Sequence, residues 1–202
     1  MEGLRERKKR ETREAIANAA MRLFLEHGYE DVTVAEVAQA ADVSEKTVFN
    51  HFPTKEDLVF ARGDDRLQAR ADAIRNRMPG VPLARLFEDE AMAFLEQIQG
   101  GNVEGMLKVL RLVRTSPALR DGLHLRFERE AAVLVNAVTE DESDLTAAVV
   151  VRALIWAHRI IFRVAINRLL DGDDPAEVAE DLRPQAREVY ARLDLGLASY
   201  EG

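Results

Sequence analysis

Polar residues suited to contacting nucleic-acid bases are concentrated in one short stretch of the chain. They are Glu45, Lys46, Thr47 and Asn50. Lysine can donate to guanine, asparagine can pair with the edge of adenine, and glutamate can accept from cytosine. Phe49 and His51 lie near the end of the same stretch, where contacts to a phosphate backbone are expected. The stretch predicts a base-reading element, although a helical hairpin with a solvated polar face explains the spacing equally well.

Capping residues place this stretch on the second of two short helices. Thr33, with Glu36 three residues later, predicts a capping box at the start of the first helix, which Asp42 interrupts. Ser44 caps the second helix, and Pro53 ends it. Two short helices joined by a turn of three or four residues form the helix-turn-helix unit, whose second helix enters the DNA major groove.

A set of residues in fixed register runs through this region. It consists of Thr33, Val34, Val37, Ala38, Ala41, Val43, Ser44, Thr47, Val48, His51, Phe52, Lys55, Glu56 and Leu58. In these positions residues 12–60 resemble the DNA-binding domain of the tetracycline-repressor (TetR) family. Asp42 stands where that family usually has a turn glycine, and aspartate tolerates left-handed backbone better than most residues. Phe49 replaces the usual tyrosine and lacks its hydroxyl.

The resemblance implies a transcriptional regulator that binds double-stranded operator DNA as a homodimer. The residues it implies at the DNA are Thr33, Ser44, Glu45, Lys46, Thr47, Phe49, Asn50, His51 and Lys55. We expect Lys46 and Thr47 in the major groove and Lys55 at a phosphate. Family members pair their last two long helices across the dimer and enclose a ligand pocket with the others. A repressor of this kind leaves its operator when a small molecule fills that pocket.

The composition argues against an enzyme, a disulfide framework and a metal centre. The chain has no cysteine, and its four histidines show no close ligand spacing. We find no paired carboxylates, no Ser/His/Asp set and no phosphate-binding glycine loop, and therefore predict no catalytic residues and no cofactor. Arg152 and Arg163 interrupt the longest apolar runs, and the N-terminus lacks the apolar core of a signal peptide. These features predict a cytoplasmic protein without a membrane span.

The overall charge gives no support for nucleic-acid binding, but its arrangement does. The net charge is −8, from 28 Lys and Arg against 36 Asp and Glu. Basic residues nevertheless cluster near the N-terminus, at Arg5, Arg7, Lys8, Lys9, Arg10 and Arg13. Such a local cluster can hold phosphates while the rest of the molecule is acidic. The alternative is a solvated tail, disordered in the absence of DNA.

Helical periodicity continues to the C-terminus, and no segment alternates as a strand does. The sequence therefore predicts an all-α fold of about nine helices. We expect a helix-turn-helix domain in residues 1–60 and a helical ligand-binding and dimerisation domain in residues 61–202. The first helix should begin within residues 5–12, and Pro184 should kink or split the last one.

The predicted helix over residues 145–170 is apolar on more than one side, which indicates burial from several directions. Its small residues Ala147, Ala157 and Ala165 would allow a partner helix to approach closely. A second subunit and the centre of a monomeric bundle both explain this pattern.

Candidates for an effector site are large apolar and charged side chains on the enclosing helices. They are Phe94, Met106, Leu110, Phe127, Arg152, Trp156 and Arg159. Arginines beside Trp156 predict an effector with an apolar body and an acidic or polar end. Core packing explains each apolar residue singly, and a surface network with Glu128 and Glu130 explains the arginines.

Two other functions fit parts of the sequence. One is an architectural DNA-binding protein without an inducer, which a fully packed larger domain would favour. The other is a helical enzyme or carrier with an incidental helix-turn-helix, for which we find no chemical site.

Overall fold

The computed structural model describes the backbone of residues 3–101, 103–141 and 143–197, and their side chains except those of Arg62, His124, Leu125 and Leu197. These residues form nine helices and no strand, which confirms the predicted fold class. The helices are α1 (Leu4–His27), α2 (Val34–Ala40), α3 (Glu45–His51), α4 (Lys55–Arg75), α5 (Leu83–Gln99), α6 (Glu104–Thr115), α7 (Pro117–Val138), α8 (Leu145–Asp171) and α9 (Pro175–Leu197).

Helix α1 begins earlier than expected, so the basic N-terminal segment is helical from Leu4 onward. The prediction of a start within residues 5–12 was slightly late, and the segment is not a disordered tail. Ion pairs one turn apart, such as Arg7 with Glu11, support it. Gly28 ends the helix at a φ of 91°, and its N–H donates to the carbonyl of Phe24.

The chain divides into two compact units. The first comprises Met1–Arg66 and Lys108–Leu123, and the second comprises Leu67–Leu107 and His124–Gly202. The predicted boundary between residues 60 and 61 lies close to the end of the first segment. It did not include residues 108–123, which return to the first unit from the middle of the chain.

The returning segment is part of the core of the first unit. Leu119 is fully buried with Phe24, Val48 and other apolar residues of α1 to α4. Ser116, also buried, donates from Oγ to Glu30 Oε1 at 2.7 Å and accepts from the Leu119 amide at 3.3 Å. The segment therefore completes the core that holds the helix-turn-helix.

Helix α8, with 27 residues, is the longest helix of the second unit. Helix α5 packs against both α8 and α9. Ala147, Ala157 and Ala165 are buried among the core residues of their own unit. The prediction that they face a partner subunit was therefore wrong. These small residues share a face with Leu154 and Ile161, and the neighbouring helices of the same chain cover that face.

Two further expectations concern the long helices. Helix α9 continues through Pro184 and is not split there. Buried residues on both sides of the proline, Leu182 and Ala186, hold the two halves against the rest of the unit. Helix α8 is long and apolar enough to cross a membrane, contrary to our expectation. A largely apolar core helix meets the same criteria of length and composition, and α8 has a continuous buried face.

The returning segment can be tested by truncating Leu119 to alanine. We expect this change to lower the free energy of unfolding by about 2–5 kcal/mol, because it leaves a cavity in the core of the first unit. Leu4→Ala is the control, since Leu4 is 61% exposed in the same unit. Chemical denaturation followed by circular dichroism measures both. Equal stability of the two variants would show that residues 108–123 do not belong to this core.

Candidate nucleic-acid interface

The second helix of the helix-turn-helix, α3, is held at its start by the predicted cap. The Thr47 amide donates to Ser44 Oγ at 3.1 Å, and the two side-chain oxygens lie 2.8 Å apart. Val48 and Phe52 are buried and fix the inner side of the helix. The preceding turn passes through Asp42 at a φ of 54°, which confirms that aspartate takes the place of the usual glycine there.

The side chains predicted to contact bases lie together on the outer face of α3. Glu45, Lys46, Phe49 and Asn50 are exposed, whereas Thr47 and His51 are half-buried. Because these exposed residues are one, three, four or five positions apart, they form one continuous patch. Phe49 is 48% exposed, which is unusual for a phenylalanine in a small domain and leaves its ring free to meet a ligand.

Thr33 forms the predicted capping box at the start of α2. Its N–H donates to Glu36 Oε2 at 2.7 Å, and the Glu36 amide donates back to Thr33 Oγ1 at 3.2 Å. The hydrogen bonds from the Thr33 backbone and side chain lower the pKa of Glu36. The Thr33 side chain is exposed, so it holds the helix end at the surface, where the resemblance expects DNA.

Lys55 already has partners within the first unit. Its Nζ donates to the carbonyl of Glu30 at 3.3 Å and lies 4.3 Å from the centre of the Tyr29 ring. The Tyr29 hydroxyl in turn donates to Glu56 at 2.8 Å. A phosphate contact by Lys55 therefore stays a prediction, and the lysine also links α4 to the loop that follows α1.

The charges of two basic side chains of α1 act on His51, the last residue of α3. Burial lowers the pKa of His51, and the positive charges of Lys9 and Arg13 lower it further. The Arg13 guanidinium lies 4.5 Å from the centre of the Phe52 ring and 3.2 Å from Asp64 Oδ2. Lys8, Lys9 and Arg10 are exposed on the same helix. The first unit thus places a local positive surface beside the outward polar patch of α3.

The residues predicted for an effector site do not lie in one unit. Leu110 belongs to the first unit, and the other six belong to the second. Phe94 is buried, and its ring stacks on that of Phe162 with centroids 3.6 Å apart. Met106 is half-buried.

Phe127, Trp156 and Arg159 form a stack at the edge of the second unit. The Arg159 guanidinium lies against the Phe127 ring and 5.0 Å from the centre of the Trp156 ring. Trp156 is 55% exposed, and Arg152 is exposed and lies 3.7 Å from Glu128. The expected salt bridge to Glu128 is thus present, and Trp156 faces outward.

A polar node inside the second unit was not predicted from the sequence. Arg70 of α4 donates from Nε to Glu90 of α5 at 2.8 Å and from Nη1 to Glu130 of α7 at 2.6 Å. Burial opposes the charge of Arg70, but the hydrogen bond and charge of Glu90 and the charge of Glu130 raise its pKa overall.

His158 of α8 joins this node to α9. Its Nε2 lies 3.3 Å from Arg70 Nη2, and its Nδ1 lies 3.2 Å from the Tyr190 hydroxyl. Burial, followed by the charge of Arg70, lowers the pKa of His158 to about 3, so the ring is neutral at physiological pH. Burial likewise raises the pKa of Tyr190.

A sequence signal for the node does exist. In each of three helices, apolar residues recur at helical spacing along one face, and a charged residue lies on the same face, three positions after the first of them. The sets are Leu67, Arg70, Ala71 and Ile74; Phe87, Glu90, Ala91 and Phe94; and Phe127, Glu130, Ala131 and Leu134. A charge on an apolar stripe requires a buried partner, and the opposite signs indicate which stripes meet.

Comparison with known proteins decides the family. Residues 16–61 match the family model of bacterial regulatory proteins of the tetR family. The uncharacterised HTH-type transcriptional regulator Rv1556 of Mycobacterium tuberculosis is 30% identical over 171 residues, which cover 80% of this chain and 81% of that protein. The chain belongs to the TetR family. The resemblance to the TetR family that was inferred from residues 12–60 is therefore confirmed.

Other members of the TetR family extend this comparison. The HTH-type transcriptional regulator TcmR of Streptomyces glaucescens is 33% identical over 122 residues, which cover 58% of this chain and only about half, 54%, of TcmR. NalD, the secondary repressor of the MexAB-OprM multidrug efflux pump in Pseudomonas aeruginosa, has the same fold, with a TM-score of 0.53. The alignment covers 91% of this chain and 97% of NalD at 20% identity.

The neutral, buried His158 predicts a dependence of stability on pH in this TetR-family protein. The pKa of His158 is lower in the folded than in the unfolded chain. Its contribution to the free energy of unfolding is therefore complete above about pH 6.5 and is lost as the pH falls toward 3. Between about pH 6.5 and 5 the free energy of unfolding should fall by roughly 1–2 kcal/mol through this residue. Denaturant titrations of wild type and His158→Gln measure the effect. If the free energy of unfolding of His158→Gln fell with decreasing pH as steeply as that of wild type, the prediction would be contradicted.

Proposed function

We propose that this protein is a transcriptional repressor that binds operator DNA as a homodimer and leaves it when a small molecule binds the second unit. The observation that carries the proposal is the outward polar patch of α3, held on a buried inner side and flanked by the basic surface of α1. Base-reading groups on a fixed helix beside phosphate-binding cations are what specific DNA recognition requires.

Within this proposal the two groups of DNA contacts have different tasks. Glu45, Lys46, Thr47 and Asn50 on α3 read base edges, and Phe49 contacts thymine methyl groups or sugars. Lys8, Lys9 and Arg10, with Lys55, bind phosphates without regard to sequence. Thr33 and Ser44 precede α2 and α3, and in this proposal the N-terminal ends of both helices face the phosphate backbone of the operator. The positive ends of the helix dipoles favour phosphate there.

A second copy of the chain is the proposed partner of the exposed face of α8. Large apolar residues repeat along this face every four positions, apart from one seven-residue step. They are Leu145, Val149, Trp156, Ile160 and Val164, with exposures from 38 to 79%. An apolar stripe of this length on a soluble regulator is expected to be covered. A two-fold dimer would present two α3 helices to major grooves about 34–36 Å apart.

The effector belongs to the second unit in this proposal. The predicted effector has an apolar body and an acidic or polar end, and Arg159 on the Phe127 ring is the cation that would receive that end. Binding need only favour a dimer geometry that does not fit DNA, because a ligand shifts a conformational equilibrium by its differential affinity. The repressor role is supported by the likeness to NalD.

The DNA contacts are tested with fragments selected from genomic DNA by the purified protein. Lys46→Ala should weaken binding to the selected site by about 1–3 kcal/mol and relax the preference at one base position. Lys108→Ala is the control, since Lys108 is exposed in the same unit but lies on α6. Unchanged affinity and preference in Lys46→Ala would place the base-reading element elsewhere.

The phosphate contacts predict a different response. Replacing Lys8, Lys9 and Arg10 by glutamine should weaken binding to all sequences alike, because phosphates are present in every site. The plot of the logarithm of affinity against the logarithm of salt concentration should become flatter, since fewer counterions are released. A variant that loses preference among sequences while keeping the salt slope of wild type would contradict this assignment.

The dimer is tested by placing a charge on the proposed interface. Trp156→Glu should yield monomers that bind the operator weakly, because a buried unpaired carboxylate opposes association. Ala93→Glu, at an exposed position of α5, should remain dimeric. Sedimentation velocity at micromolar concentration measures both. A monomeric wild type, or a Trp156→Glu protein that is as dimeric as wild type, would rule out this face.

A further inference from the structure

His51 lies at the C-terminal end of α3, beside the outward polar patch of that helix. It is the last residue of α3, where the dipole of the helix favours a cation. Its ring is half-buried and lies 6.5 Å from that of Phe52, centre to centre. The Arg13 guanidinium lies over the same Phe52 ring. His51 therefore lies within reach of the charges of Lys9 and Arg13 and beside the outward patch.

The charges around His51 oppose its protonation in the free protein. Lys9 and Arg13 of α1 act on the ring, and Asp64 of α4 pairs with Arg13 at 3.2 Å and offsets part of its charge. Burial acts in the same direction as the two cations and lowers the pKa of His51 below its ordinary value of 6.5. At neutral pH the free protein thus carries a neutral His51.

We propose that His51 takes up a proton when the protein binds its operator, so that operator affinity rises as the pH falls. This inference rests on the proposed function. A phosphate bound by Lys9 brings a negative charge close to the ring and offsets the two cations, which add to the effect of burial in the free protein. An imidazolium is then favoured, and it donates from both ring nitrogens.

Linkage gives the size of the effect. Each subunit takes up at most one proton through His51, so a dimer takes up at most two. The affinity of the dimer should increase roughly tenfold or more between about pH 7.5 and 6, the range in which a histidine near its ordinary pKa titrates. The response concerns DNA affinity and needs no ligand in the second unit.

The experiment uses the full chain and a selected operator fragment at constant ionic strength. Fluorescence anisotropy gives the affinity between about pH 6 and 7.5, where histidine titrates. Calorimetry in two buffers of different ionisation enthalpy counts the protons taken up on binding. The variant is His51→Gln, which keeps a polar amide but does not titrate. The control is His27→Gln, since His27 is exposed in the same unit.

We expect wild type and His27→Gln to take up protons and to bind more tightly at low pH, and His51→Gln to bind with little dependence on pH. Thermal unfolding confirms that each variant is folded, and His51→Asn serves as a second substitution. Equal proton uptake in wild type and His51→Gln would overturn the inference, as would operator binding by wild type without proton uptake. Failure to bind any DNA at any pH would instead contradict the proposed function.

Discussion

The recognition helix α3 is too short to hold its own conformation, and the first unit supplies what it lacks. Its seven residues are about half of the length at which an isolated helix becomes marginally stable in water. Val48 and Phe52 attach its inner side to the core, and the Ser44 side chain satisfies the Thr47 amide. The outward polar patch keeps one orientation because of these contacts. Residues 108–123, from the middle of the chain, complete the same core.

The second unit is specified by buried charge as well as by apolar packing. Arg70, Glu90 and Glu130 come from three helices, and each would be costly to bury alone. They are tolerated because they meet, and His158 extends their contacts to Tyr190. An apolar core of the same volume could be equally stable. We therefore interpret the node as a feature that selects which helix faces come together.

The local features of the candidate interface could be predicted because each depends on neighbours in the chain. The capping box at Thr33, the cap at Ser44 and the turn at Asp42 involve residues at most five positions apart. The environment of His51 could not be predicted in this way. Its charge depends on Lys9 and Arg13, which are about forty positions away in the sequence, and on the burial of the ring. The partners of Lys55 were missed for the same reason.

The sequence by itself determined the helical class, the starts of the two helices of the helix-turn-helix, the family and which residues lie on the second of these helices. These follow from short-range hydrogen bonds, helical periodicity and a motif in fixed register. Only the tertiary structure decided which side of α8 is covered. Ala147, Ala157 and Ala165 face the core of their own unit, and Trp156 faces outward. Periodicity shows that a helix has two apolar sides, but the identity of the neighbour on each side depends on residues far away in the chain.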